Sequence, residues 1–198
     1  IGLFKKDETN FTKDTALMTT TSAEDGSFSF ANIPYGEWVV REIEQPIGFV
    51  LNETVFDVVI KENAQIVKIE IVNEFIMGDI TLTKVDKEYP DNKLSGATFE
   101  VYKDNNADGK LDDGDTLIGS LTESEVGIYE MKDMRYGHYL IKETVAPDGF
   151  FLDEGVYAVF IETDGTTYVV ENEAGVGFIN NAMTGTLKIV KTSSDGKV

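Results

Sequence analysis

The 198 residues include no cysteine, so neither a disulfide nor a thiolate metal site is available and stability has to come from elsewhere. Basic residues are scarce. Seventeen Lys and Arg stand against 36 Asp and Glu, a net charge of −19, which opposes binding to nucleic acid or to an anionic membrane surface and suits solubility and cation binding. No apolar run is long enough to span a bilayer, and no signal peptide opens the chain. It begins mid-strand with IGLFKK and reads as a piece of something longer. Helical periodicity is missing, and the single histidine, His138, reads as a surface strand residue, with no histidine-metal or Ser-His-Asp arrangement around it.

What is present is a repeat. HYLIKETVAPDGFFL, residues 138–152, has the same frame as EWVVREIEQPIGFVL, residues 37–51: alternating apolar and polar positions, a glutamate, then Pro and Gly at matched spacing. Side chains alternate between the faces of a strand, so Tyr139, Ile141 and Glu143 share one face, as do Trp38, Val40 and Glu42. Both glutamates therefore point inward. A buried carboxylate demands either a partner or a raised pKa that keeps it protonated. His138 alternates onto the opposite, outer face.

Other polar residues share this inward phase. In QIVKIEIVNEF, Asn73 lies in phase with Ile69 and Ile71; in DITLTKVD, Lys84 lies in phase with Ile80 and Leu82. Matching the two repeats pairs Asn73 with Asn180, and Lys84 with Lys191 in TGTLKIVK. The chain divides into residues 1–77, a unit lacking its first strand; residues 78–184, a complete unit; and residues 185–198, the first strand of a further repeat. Short alternating strands with Gly and Asp turns, such as the one at Asp25-Gly26, make each unit an all-β antiparallel sandwich.

The order of TLTKVD, SGATFEVYK, a hairpin, YLIKETVAPDGF and a final strand with an inward Asn resembles the collagen-adhesin B-type (Cna B-type) repeat domains of Gram-positive surface adhesins and pilins. The likeness covers nearly the whole chain. It implies tandem Ig-like, prealbumin-like sandwiches in which a lysine of the first strand joins an asparagine of the last through a spontaneous isopeptide bond promoted by the glutamate. Carried onto this sequence, it implies Lys84 as nucleophile, Asn180 as electrophile and Glu143 as proton shuttle. In the first unit it implies Glu42 and Asn73, whose lysine-bearing strand is missing; the segment GTLKIVK, with Lys191 in the phase of Lys84, is expected to complete it by strand addition from a neighbouring molecule, the alternative being another strand of the same polypeptide. A buried salt bridge between Lys84 and Glu143 without covalent chemistry is the competing reading.

A second constellation is DNNADGKLDDGD, residues 104–115, with the spacing of an EF-hand loop. Asp104, Asn106, Asp108, Asp112 and Asp115 would offer side-chain oxygens and Lys110 its carbonyl, with Gly109 at the sharp turn. The expected ligand is Ca2+. Position twelve is Asp rather than the longer Glu, and a strand rather than a helix leads in; an acidic solvated loop is the plain alternative.

The expected function is structural: stalk or backbone modules of an extracellular, cell-wall-anchored adhesin or pilus, not an enzyme beyond one autocatalytic turnover. Expected partners are neighbouring repeats and, by head-to-tail strand exchange, neighbouring molecules. The alternative is a ligand-binding adhesin module contacting a host matrix protein or glycan.

Overall fold

The structure, a computed structural model, describes residues 1–194. Among them there is no helix, and the fold is all-β. In the first unit, strands β1 (Gly2–Lys5), β2 (Met18–Thr19), β3 (Gly36–Arg41) and β4 (Phe56–Ile60) make one antiparallel sheet in the order β2-β1-β3-β4. Its apolar face carries Leu3, Val40 and Val58, against which Phe28, Phe30, Trp38, Ile69 and Ile71 pack half-buried.

The second unit is a two-sheet sandwich. One sheet runs β11 (Val156–Ile161), β10 (Gly137–Val145), β6 (Thr98–Lys103), β7 (Thr116–Ser120). The other runs β12 (Thr166–Val169), β5 (Met77–Asp86), β9 (Ile128–Arg135), β8 (Thr122–Glu125), with β13 (Phe178–Asn180) also on β5. The predicted phase of β5 holds: Ile80, Leu82 and Lys84 are all sealed from solvent. They face Phe99, Val101, Tyr139, Ile141 and Phe178, whose rings interlock edge-to-face, Phe99 against Phe178 at 4.9 Å and against Tyr129 at 5.1 Å. His138 lies on the outer side of β10, stacked on Phe160 at 4.1 Å.

Two details differ from a purely antiparallel sandwich grammar. β12 and β13 both run parallel to β5, β12 following β11 through the short turn 162–165 and crossing to the other sheet instead of pairing with it. And in the first unit the runs flanking Asp25-Gly26 and the run 65–74 form no strands, although the Gly26 turn itself closes through Ala23 and Ser27. The reason is visible in the second unit. There β5 lies between β9 on one side and β12 and β13 on the other, supplying the ladder for all three. In the first unit residues 27–34 and 65–73 correspond in the repeat to β9 and the last strands, and among the described residues no counterpart of β5 pairs with them. A groove of about 480 Å3, lined by Phe28, Phe30, Val40, Val58, Val67 and Ile69, occupies that place.

Candidate functional site

β5, β10 and β13 each deliver one polar side chain into the core of the second unit. Lys84 and Glu143 are 0% exposed and Asn180 is 2% exposed. Register explains their meeting. Phe178 pairs with Lys84 and Asn180 with Asp86 along parallel strands, so Lys84, Phe178 and Asn180 share the inner face, opposite Glu143 of β10.

Asn180 Nδ2 stands 3.0 Å from each oxygen of the Glu143 carboxyl, and Lys84 Nζ stands 3.8 Å from Glu143 Oε1. The amine donates to the Phe178 carbonyl at 3.2 Å and lies 5.3 Å from the centre of the Phe178 ring. Asn180 Oδ1 is buried with no hydrogen-bond partner, an acceptor left open to a donor that would polarise the amide carbon. Burial drives the lysine pKa down from 10.5 to about 8, the nearby Glu143 and Asp153 carboxylates opposing the fall. Burial likewise pushes the Glu143 carboxyl above its ordinary value, against the donors Asp153 N–H and Asn180 and the charge of Lys84. Both shifts favour neutral amine beside protonated acid. Relative to an ordinary lysine, the neutral fraction near pH 7 rises roughly 300-fold.

A supporting shell escaped the sequence analysis. Asp153 donates its backbone N–H to Glu143 Oε2 at 2.8 Å, while its carboxylate accepts from Tyr157 and Asn172. Burial and that carboxylate push the Tyr157 hydroxyl up to about 12. Asn172 in turn brackets Ile179, accepting from its N–H at 2.6 Å and donating to its carbonyl at 2.9 Å, which holds β13 in register beside the trio. One signal could have found part of this shell. Asp153 lies ten residues after Glu143, and Asn52 lies ten after Glu42 and makes the same backbone bond to it at 2.8 Å.

The first unit reproduces two corners of the triangle. Glu42 is buried and accepts from Asn73 Nδ2 at 2.7 Å. Asn73 is half-buried rather than sealed. Lys191 is not brought to this pair within the chain: residues 185–192 are exposed and form no strand.

The acidic loop connects β6 to β7, and its side chains largely bond the loop's own backbone. Asn106 Oδ1 accepts from Asp108 N–H, Asp108 Oδ1 from Lys110 N–H, and Asp112 Oδ1 from Gly114 N–H. Among the described residues no three acidic or histidine side chains converge as a ready-made metal cluster.

A family model for the SpaA prealbumin-like fold domain matches residues 1–75 and again 78–174. The chain belongs to the SpaA prealbumin-like domain family. This agrees with the Cna B-type resemblance, and the SpaA-type sandwich is what places first and last strands side by side. Among solved structures, the Bacillus anthracis TIE protein is 26% identical with a TM-score of 0.66, over 81% of this chain and 28% of that one. BcpA, the major pilin subunit of Bacillus cereus, is 28% identical with a TM-score of 0.40, over 67% of this chain and 34% of that one. A streptococcal ancillary pilin is 26% identical with a TM-score of 0.39, over 76% and 43%. The chain thus spans less than a third of the length of the TIE protein. No curated protein matches it.

Proposed function

We propose that the chain is a stretch of tandem modules from the stalk of a cell-wall-anchored adhesin or pilus on a Gram-positive bacterium, and that the second unit is locked by an isopeptide bond between Lys84 and Asn180. The observation that carries this reading is the sealed trio: an amine whose pKa burial brings down to about 8, an amide touching both oxygens of a buried carboxyl, and all three side chains closed off from solvent. A purely ionic Lys84–Glu143 pair leaves the buried Asn180 carbonyl without a role, and desolvating both charges costs several kcal/mol by general experience with buried pairs.

The chemistry balances within the site. A half-turn of the Asn180 amide brings its carbonyl oxygen to Glu143, whose protonated carboxyl donates to it and polarises the carbon. The Lys84 nitrogen lone pair forms the new C–N bond. The amine proton passes through Glu143 to the departing nitrogen, the old C–Nδ2 bond breaks, and ammonia leaves. Fixed proximity on adjacent strands contributes the equivalent of about 10⁵ M or more of reactant concentration. The reaction runs once per unit, so the module catalyses no turnover of external substrate.

Intact-mass measurement tests it. The folded chain should be lighter than its sequence by one ammonia for the second unit, and Glu143→Ala and Lys84→Ala should each restore the full mass. A well-folded chain of unmodified mass overturns the reading.

The first unit supports a related proposal. Its Glu42–Asn73 pair and its apolar groove suit an extended strand carrying an inward lysine, the role that β5 has in the second unit. Residues 185–191, with Leu187, Ile189 and Lys191 in the phase of Ile80, Leu82 and Lys84, have that pattern. Such a strand comes either from the same polypeptide or, by head-to-tail exchange, from a neighbouring molecule.

A further inference from the structure

The loop 104–115 holds one feature that its own hydrogen bonds leave unexplained. Asp104 is only 4% exposed, and its Oδ1 is buried with no hydrogen-bond partner. The other oxygen, Oδ2, accepts from Gly109 N–H at 2.9 Å across the turn, so the carboxyl faces the interior of the loop. Among the described residues Asp104 makes no ion pair. The adjacent cation, Lys103, feels the Asp104 charge but makes no ion pair with it: its amine donates to the Tyr136 carbonyl at 3.3 Å and lies 4.3 Å from the centre of the Tyr139 ring. An oxygen bearing negative charge, buried and without a donor, is unfavourable unless a cation meets it.

The residues around it are of the types and spacing such a cation takes, though their side chains do not yet converge on one point. Asp115 draws the loop closed by accepting from Asn105 N–H at 3.1 Å and Asp112 N–H at 2.9 Å, so the two ends of the segment meet. Asp112 stands beside Asn106, whose Nδ2 is 3.4 Å from its Oδ2. Asn106, Asp108 and Asp112 each use one side-chain oxygen on a backbone N–H and are exposed, so their carboxyl and amide heads are free to reorient. We propose that Asp104 is the fixed anchor of a Ca2+ site, completed by the side chains of Asn106, Asp108, Asp112 and Asp115 and the Lys110 carbonyl. A hard dication with about six to eight oxygen ligands in adaptable geometry fits this set. Mg2+ fits poorly, since it demands rigid octahedral coordination and keeps its water. Binding clamps the β6–β7 connection, and β6 carries Phe99, one wall of the core around the Lys84 site. The proposal is independent of the isopeptide reading.

Calorimetric titration of the chelator-treated full chain with CaCl2, and with MgCl2 in parallel, is the test, joined to thermal melts in CaCl2 and in chelator. Saturable one-to-one Ca2+ uptake is expected, with much weaker Mg2+ uptake and a melting temperature raised by Ca2+ alone. Asp104→Asn keeps an acceptor for Gly109 and replaces the orphaned oxygen with a neutral amide. In chelator it should melt no lower than the parent, and Ca2+ should no longer shift it. Asp108→Ala, at an exposed position, should fold normally and lose the saturable heat. Absence of saturable Ca2+ uptake by the parent chain, or uptake unchanged in both variants, overturns the proposal.

Discussion

Glu143 and Lys84 matter because burial moves their two pKa values toward each other. Each group alone would be expelled to the surface, but on facing strands their shifts favour the neutral forms, the pair that the proposed reaction would use as acid and nucleophile. The proton balance can be measured in Glu143→Gln, which has no relay and leaves the amine unreacted. Without the carboxylate that raises it, the Lys84 pKa should fall below its value of about 8, still far under the 10.5 of the unfolded chain. The unfolded state then holds more protons through that window, so stability is depressed at neutral pH and recovers as pH rises toward 10.5, by up to about 1.4 kcal/mol per pH unit. Urea midpoints from pH 7 to pH 10 should show this slope. The double variant Lys84→Met with Glu143→Gln should lack it; equal slopes in the two chains would remove the lowered lysine from the account.

At the scale of the element, the last strand depends on a glycine. Gly177 has φ of +128°, and a Cβ there would lie 2.8 Å from the Thr83 carbonyl oxygen of β5. That close approach sets β13 against β5 immediately before Phe178 and Asn180. Gly177→Ala should therefore destabilise the unlinked fold by about 1–3 kcal/mol and lower the fraction of chains that have lost ammonia. Urea unfolding and intact mass report the two effects separately, and a chain with parental values for both would show that the approach is not needed. Asn172 secures the same strand from the other side through Ile179. These are devices of a strand that runs parallel to its partner β5, where no hairpin between the two sets the register.

On the scale of the whole molecule, a bond from Lys84 to Asn180 would join the first and last strands of the second unit, so tension entering at one strand would leave by the other without unzipping the sheets between. Among the described residues the first unit has an apolar groove where the second has β5, the place proposed for an incoming segment. Head-to-tail exchange would convert separate chains into a linked series, and denaturing gel electrophoresis reads this directly. Exchange with covalent closure gives a ladder that disappears in Lys191→Ala, whereas monomer alone rejects linkage between molecules.

Much of this was legible in the residues. Alternation on β5 and β10 put Lys84 and Glu143 inward, because a two-residue period leaves a strand residue only two faces and its apolar neighbours choose between them. The repeat of Glu and Asn in both units marked the same two corners twice, and the outward His138 followed from the same parity. The all-β class followed from short alternating runs broken by Gly and Asp turns.

Other features arose only on folding. Whether 27–34 and 65–73 become strands depends on a partner between them, since an extended segment gains its hydrogen bonds from a neighbour and not from itself. The same runs that read as a hairpin in sequence stay unpaired in the first unit, while their equivalents in the second are laddered on β5. The parallel placement of β12 and β13, the ten-residue reach from Glu143 to the Asp153 N–H, and the Asn172 bracket are likewise contacts between distant segments. So is the buried, unpartnered oxygen of Asp104. The spacing of the acidic loop named its residues, but only packing decided that one of them would face inward with no donor to meet it.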